Sequence, residues 1–151
     1  MAKTYRITPF VRISNAIVTT LLRRGVKLGD MALLTVPGRK TGQPRTTPVT
    51  LLELDGERWL QSPFGEVNWV RNLRAAGRAT LMRGRHAEPI SVIELSPAEA
   101  APVLKGALAS FPSLIKSYFD VTPDSPLEAF EREAPRHPMF RVVAATAPTN
   151  Q

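Results

Sequence analysis

Between residues 31 and 95, short apolar runs alternate with turn-forming residues, and this punctuation limits the fold more than any other feature of the chain. Residues 31–36 and 48–54 are nearly continuous apolar runs of strand length. Asp55-Gly56 follows the second run and accepts the two positive φ angles of a type I′ turn, so residues 57–61 return as a third strand in meander order. Residues 79–83 and 88–95 read as two more strands around a turn at Gly84. Residues 138–145, apolar at Met139, Phe140, Val142 and Val143, read as the last. Residues 8–24 carry apolar side chains at helical spacing, with Thr8 as cap, Pro9 at the first helical position and Gly25 as the stop. Residues 66–76 make a second helix closed by Gly77. Ser96-Pro97-Ala98-Glu99 supplies the hydroxyl, proline and acid of a capping box and opens a third helix toward Phe111. Pro112, Pro123, Pro126 and Pro135 cut the remainder into short helices near 113–119 and 125–134.

A chain of 151 residues, 43% hydrophobic and 22% charged, is about one domain; residues 1–147 are assigned to it and 148–151 to a tail. It has no cysteine, which excludes disulfides, thiolate nucleophiles and cysteine metal sites. With His86 and His137 as the only imidazoles, no metal site is expected. No signal-peptide or membrane-spanning run stands out, which reads as a cytoplasmic protein.

The formal net charge of +7 is uneven: residues 1–85 hold fifteen Lys or Arg against five acids. Such a surface calls for an anionic partner, whether nucleic acid, a membrane surface or a polyanionic small molecule. Nucleic acid is disfavoured, because single-strand binding uses aromatic platforms and only 7% of the residues are aromatic. The helix over 8–24 is basic and amphipathic, suited first to packing on the sheet and second to peripheral membrane contact. Positive charge is densest in residues 36–49, where Arg39, Lys40 and Arg45 stand among Gly38, Gly42, Thr41, Thr46 and Thr47. The glycines allow the backbone to turn N–H groups toward one point, and the cations aim charge there, so the segment reads as an anion cradle for phosphate or carboxylates. It is not a nucleotide P-loop: Arg39 precedes Lys40-Thr41 where that motif needs glycine, and strand follows rather than helix. The same composition also fits a solvated hairpin tip without a ligand.

Trp69 and Asn72, three apart on one helical face, can offer a ring a flat wall and an amide, although a Trp so placed also serves a core. No paired carboxylates, Ser/His/Asp set or metal-ligand constellation can be assembled, so hydrolysis is disfavoured. An anion cradle with no acid, base or nucleophile of its own points to a bound organic cofactor that carries the reaction.

Residues 38–49, then Asp55-Gly56, Ser62 and residues 69–75, in that order, resemble the deazaflavin-dependent nitroreductase and quinone reductase family of actinobacteria; residues 137–141 resemble its closing strand. The resemblance implies an α+β fold: a split β-barrel of about six antiparallel strands, with an N-terminal helix and several short helices. It also implies coenzyme F420, a deazaflavin with a phospholactyl and polyglutamate tail. The reduced form, F420H2, would deliver hydride to an electron-poor small molecule such as a quinone, nitroaromatic or activated enone. On the family's pattern Arg39, Lys40 and Arg45 hold the tail, and Gly38, Thr41 and Gly42 of the same segment also bind the cofactor. Thr46, Thr47, Pro48 and Val49, with Ser62, Pro63, Phe64 and Gly65, line the ring, and Trp69 and Asn72 lie nearby. Ser62 or Tyr118 would orient or protonate the acceptor. Pro63-Phe64-Gly65 replaces a lysine and second glycine of some relatives, and Val67 stands where many have proline, which leaves the acceptor open. A lipid or fatty-acid carrier of the same superfamily and an FMN-binding reductase are the alternatives, and monomer and homodimer are both compatible.

Overall fold

The computed structural model describes residues 9–145. The expected cap Thr8 and the tail after Thr146 lie outside that range. Helix α1 (Pro9–Arg23) leads into strands β1 (Met31–Pro37), β2 (Pro44–Leu54) and β3 (Glu57–Gln61). Helix α2 (Asn68–Ala76) precedes β4 (Arg78–Arg83) and β5 (His86–Glu94). A helical layer follows, made of α3 (Pro97–Leu108), α4 (Ser113–Lys116), α5 (Leu127–Glu133) and a 3-10 turn (Ala134–Arg136), before β6 (Met139–Ala144). The strands form a closed antiparallel barrel in the order β1-β2-β3-β6-β5-β4. This is the α+β barrel with helices that the resemblance implied.

Local chemistry sets most boundaries. Asp55 and Gly56 have φ of 52° and 79°, as a type I′ turn requires, and they hold Leu54 opposite Glu57. Gly77 ends α2 in the left-handed region at φ 68°, its N–H donating to the Leu73 carbonyl at 2.7 Å. The capping box is present: Ser96 Oγ accepts from the Glu99 N–H at 3.2 Å, and Glu99 accepts from the Ser96 N–H at 2.9 Å.

Alternation along β2, β3 and β6 makes two cores from one sheet. Leu51, Leu60 and Phe140 point into the barrel with Leu34, Val36, Leu81 and Ile90, while α2 adds Val70 and Leu73. Their neighbours Leu52, Trp59 and Met139 point outward and are covered by Leu104, Leu108, Phe119 and Phe130 of the helical layer. Each such side chain contributes roughly 1.5–3 kcal/mol on burial, so both layers hold the barrel.

Helix α1 packs on β1 and β2 as expected, but with only part of its apolar stripe. Leu22 is buried and Val18 half-buried, but Ile13 is 62% and Ile17 56% exposed. Its apolar stripe is wider than the part that packs.

Candidate cofactor site

The β1–β2 connection builds one end of the site. β2 begins at Pro44, four residues before the apolar run suggested, because β1 pairs along its whole length: Thr35 faces Thr46, Val36 faces Arg45 and Pro37 faces Pro44. Arg45, Thr46 and Thr47 therefore sit on a strand, and the loop is only residues 38–43. The Gly38 N–H donates to the Gln43 carbonyl and the Gly42 N–H to the Gly38 carbonyl, both at 2.8 Å. These two amides close the turn and do not face a ligand, so the cradle works through side chains more than through a ring of backbone N–H groups. A Cβ on Gly38 would come within 3.2 Å of the Gln43 carbonyl oxygen, so a larger residue there would have to push the turn open by a few tenths of an ångström.

Asn72 fixes the loop from below. Only 6% exposed on α2, its Oδ1 accepts from the Arg39 backbone N–H at 3.2 Å and from Arg39 Nη1 at 2.8 Å. One buried oxygen thus sets both the backbone and the side chain of the first cation. Its expected use toward a ring is left to the amide nitrogen. Asn72→Leu removes that oxygen and should weaken anion binding in the pocket by about tenfold, the value of a hydrogen bond to a charged donor, while the barrel melts within a few degrees of the parent. Titration beside a thermal melt checks both.

The loop opens on a pocket of about 580 Å³. Arg39, Lys40 and Arg45 line it, and among the described residues no Asp or Glu does. Among the described residues none of these three cations has a carboxylate partner, whereas Arg58, Arg74, Arg83 and Arg136 are all paired. Hydrogen bonds to Glu94 and Glu66 raise the pKa of Arg74 further. The pocket also has apolar lining, from Pro48, Phe64, Val67 and Trp69. The Trp69 ring leans on Phe140 with centroids 6.2 Å apart, so it serves as core wall and pocket wall at once.

Ten of the expected site residues share this lining: Gly38, Arg39, Lys40, Thr41, Arg45, Thr47, Pro48, Phe64, Trp69 and Asn72. Others are placed elsewhere. Gly42 is at the exposed loop tip, Val49 points into the core, and the Thr46 hydroxyl shares a 2.8 Å hydrogen bond with that of Thr35. Ser62 is fully buried and donates to the Gly65 carbonyl at 2.7 Å, and the Pro63 carbonyl meets His137. Gly65, at φ 86°, completes that turn. Tyr118 stands edge-on to Phe64 with centroids 5.0 Å apart, outside the lining. Asn15 of α1, Val36, Val67 and Asn68 line the pocket without having been anticipated. Only Asn15 carried a signal, an amide on the polar face of an otherwise apolar and basic helix. Among the described residues no group of three or more His, Asp or Glu is placed to hold a metal ion.

A family model described as F420H(2)-dependent quinone reductase matches residues 6–119. The chain belongs to this family. The match takes in α1 through α4 and stops before β6, whose place in the barrel rests on its pairing with β3 and β5. No curated protein sequence matches the chain. Among solved structures, an F420-H2 dependent reductase, FDR-A, is 21% identical over 76% of this chain and 94% of its own, with a TM-score of 0.52. A domain-swapped dimer is 19% identical over 90% of this chain and 100% of its own, at TM-score 0.55. A pyridoxamine 5'-phosphate oxidase-related, FMN binding protein from Nostoc punctiforme is 11% identical over 90% and 80%, at 0.54. These likenesses concern the fold. The family sets the cofactor, coenzyme F420, and the residues present fit it. Three cations with no carboxylate partner among the described residues suit a phosphate and carboxylate tail, and the aromatic and apolar lining residues suit a ring.

Proposed function

We propose that this F420-dependent oxidoreductase reduces a small electron-poor acceptor, a quinone, nitroaromatic or activated enone, with the tail of F420H2 at Arg39, Lys40 and Arg45 and its ring between Pro48, Phe64 and Trp69. Three cations without a carboxylate partner, in a pocket that no acid among the described residues lines, carry this reading. When bound, the reduced coenzyme supplies hydride from carbon 5 of its ring. The chain's own part is positioning: the cations anchor the tail, Asn72 holds Arg39 in place, and the apolar wall keeps water from one face of the ring. Among the described residues no carboxyl or imidazole lines the pocket, Ser62 has its hydrogen engaged, and Tyr118 stands outside the lining, which favours water as the source of the proton that completes the acceptor's reduction.

Fluorescence titration with coenzyme F420, FMN and NADPH tests the cofactor side, and a preference for either of the latter two overturns the assignment. Turnover of a quinone, nitroaromatic and enone panel with F420H2 tests the acceptor. Mass spectrometry of the purified protein separates this reading from a lipid carrier, for which a copurifying acyl chain and no deazaflavin affinity are expected.

The exposed face of α1 favours a second element of the same function, contact with an anionic membrane. No helix among the described residues is long and apolar enough to span a bilayer. Ile13 and Ile17 nevertheless stand in solvent one turn apart, with Arg12, Arg23 and Arg24 exposed around them. Asn15 of the same helix lines the pocket, so a helix lying on lipid would bring the pocket close to apolar acceptors dissolved there. Cosedimentation with phosphatidylglycerol vesicles but not with pure phosphatidylcholine is the expected result, and its loss in Ile13→Asp/Ile17→Asp confirms the face.

A further inference from the structure

Behind Phe64 lies a buried polar cluster that takes no direct part in the pocket. His137 is 2% exposed, and both ring nitrogens are engaged: Nδ1 lies 2.9 Å from the Pro63 carbonyl and Nε2 lies 2.7 Å from Glu133 Oε1. The imidazole stacks on Phe119 at a centroid distance of 3.8 Å and an interplanar angle of 19°. Glu133 is itself fixed, its Oε1 accepting the Asp120 N–H at 3.1 Å and its Oε2 lying 3.4 Å from Arg136 Nη1, which also binds Asp120 at 3.0 Å.

A carbonyl oxygen can only accept, so the hydrogen in the first contact belongs to Nδ1. Burial pushes the His137 pKa below the usual histidine range, with the Glu133 hydrogen bond opposing. Nδ1–H is kept in either case, because only the Nε2 proton is in question between the ring and Glu133. The segment that His137 grips is short and held on both sides. The Ser62 N–H donates to the Pro138 carbonyl at 2.9 Å, and a Cβ on Gly65 would lie 3.5 Å from the Arg136 carbonyl oxygen. Phe64 projects from the middle of this segment, against Tyr118 on one side and into the pocket on the other.

We propose that His137, oriented by Glu133, is a positioning residue for the cofactor pocket, its Nδ1–H holding the Pro63 carbonyl and thereby fixing Phe64 as the wall on which the ring rests. The inference relies on the reading of that pocket as the deazaflavin site. Two amides separate the role from mere packing. In His137→Asn the side-chain nitrogen occupies the place of Nδ1 and keeps the bond to Pro63. In His137→Gln the nitrogen reaches toward Glu133 and leaves the buried carbonyl unbonded.

The readouts are amide hydrogen exchange at Ser62 in the ligand-free protein, and fluorescence titration with coenzyme F420 and with the tail-free deazaflavin. His137→Gln should speed exchange at Ser62 and weaken both ligands by about tenfold, the value of one buried hydrogen bond, while His137→Asn stays within about twofold of the parent in all three. Gln and Asn variants that lose equally, or a Gln variant that matches the parent, overturn the proposal. Should the parent protein bind neither deazaflavin, the cofactor reading fails, and the exchange pattern alone still decides whether His137 clamps the segment.

Discussion

Lys40→Glu combined with Arg45→Glu is expected to weaken coenzyme F420 by roughly 100-fold or more at low ionic strength. Each lost charge-assisted contact is worth about 1.5–3 kcal/mol, and the reversed charges add repulsion toward the tail. Both side chains are exposed, so added salt should shrink the loss, as screening acts most strongly on charges in contact with water. The tail-free deazaflavin should bind the double variant as it binds the parent, because the apolar wall of Pro48, Phe64 and Trp69 is untouched. Titrations of both ligands at two salt concentrations measure all of this. Equal losses for the tail-free compound would show that these cations do not hold the tail.

Phe140→Ala should cost the fold about 3–5 kcal/mol, the range for emptying a large aromatic site in a packed interior. Phe140 is 1% exposed in the barrel core, on a strand that pairs with both β3 and β5. At roughly 2–4 °C per kcal/mol for a chain of this size, the midpoint of thermal unfolding should fall by about 6–20 °C. Trp69 leans on the same ring, so the variant should also bind the tail-free deazaflavin more weakly at a temperature where it remains folded. A calorimetric midpoint that does not move would contradict the placement of Phe140.

The sequence carried the turns and the cations well, for reasons local to a few residues. Asp55-Gly56, Gly77 and Ser96-Pro97-Ala98-Glu99 each specify a backbone geometry without help from distant segments, and each is found as expected. Arg39, Lys40 and Arg45 were visible because charge clusters within seven positions of one another. Closure of the barrel was legible only through the family resemblance. It depends on β1 meeting β4 at Leu33–Thr35 and β3 meeting β6 at Trp59–Gln61, short ladders between segments far apart in the chain. Periodicity also could not say how much of α1 packs, since Ile13, Ile17 and Leu22 look alike as apolar residues, and only Leu22 meets the barrel fully. Ser62 shows the limit for site residues: a hydroxyl beside a pocket looks available in a sequence, whereas here its hydrogen closes a turn onto Gly65.

With β1 paired to β4 as well as to β2, each strand among the described residues has a neighbour on both sides for part of its length. The stretches paired on one edge alone, such as residues 44–49 of β2 and 86–89 of β5, are short, and a short edge is a poor template for a foreign strand. Strand addition along a whole β-strand would first have to unfold one of its ladders.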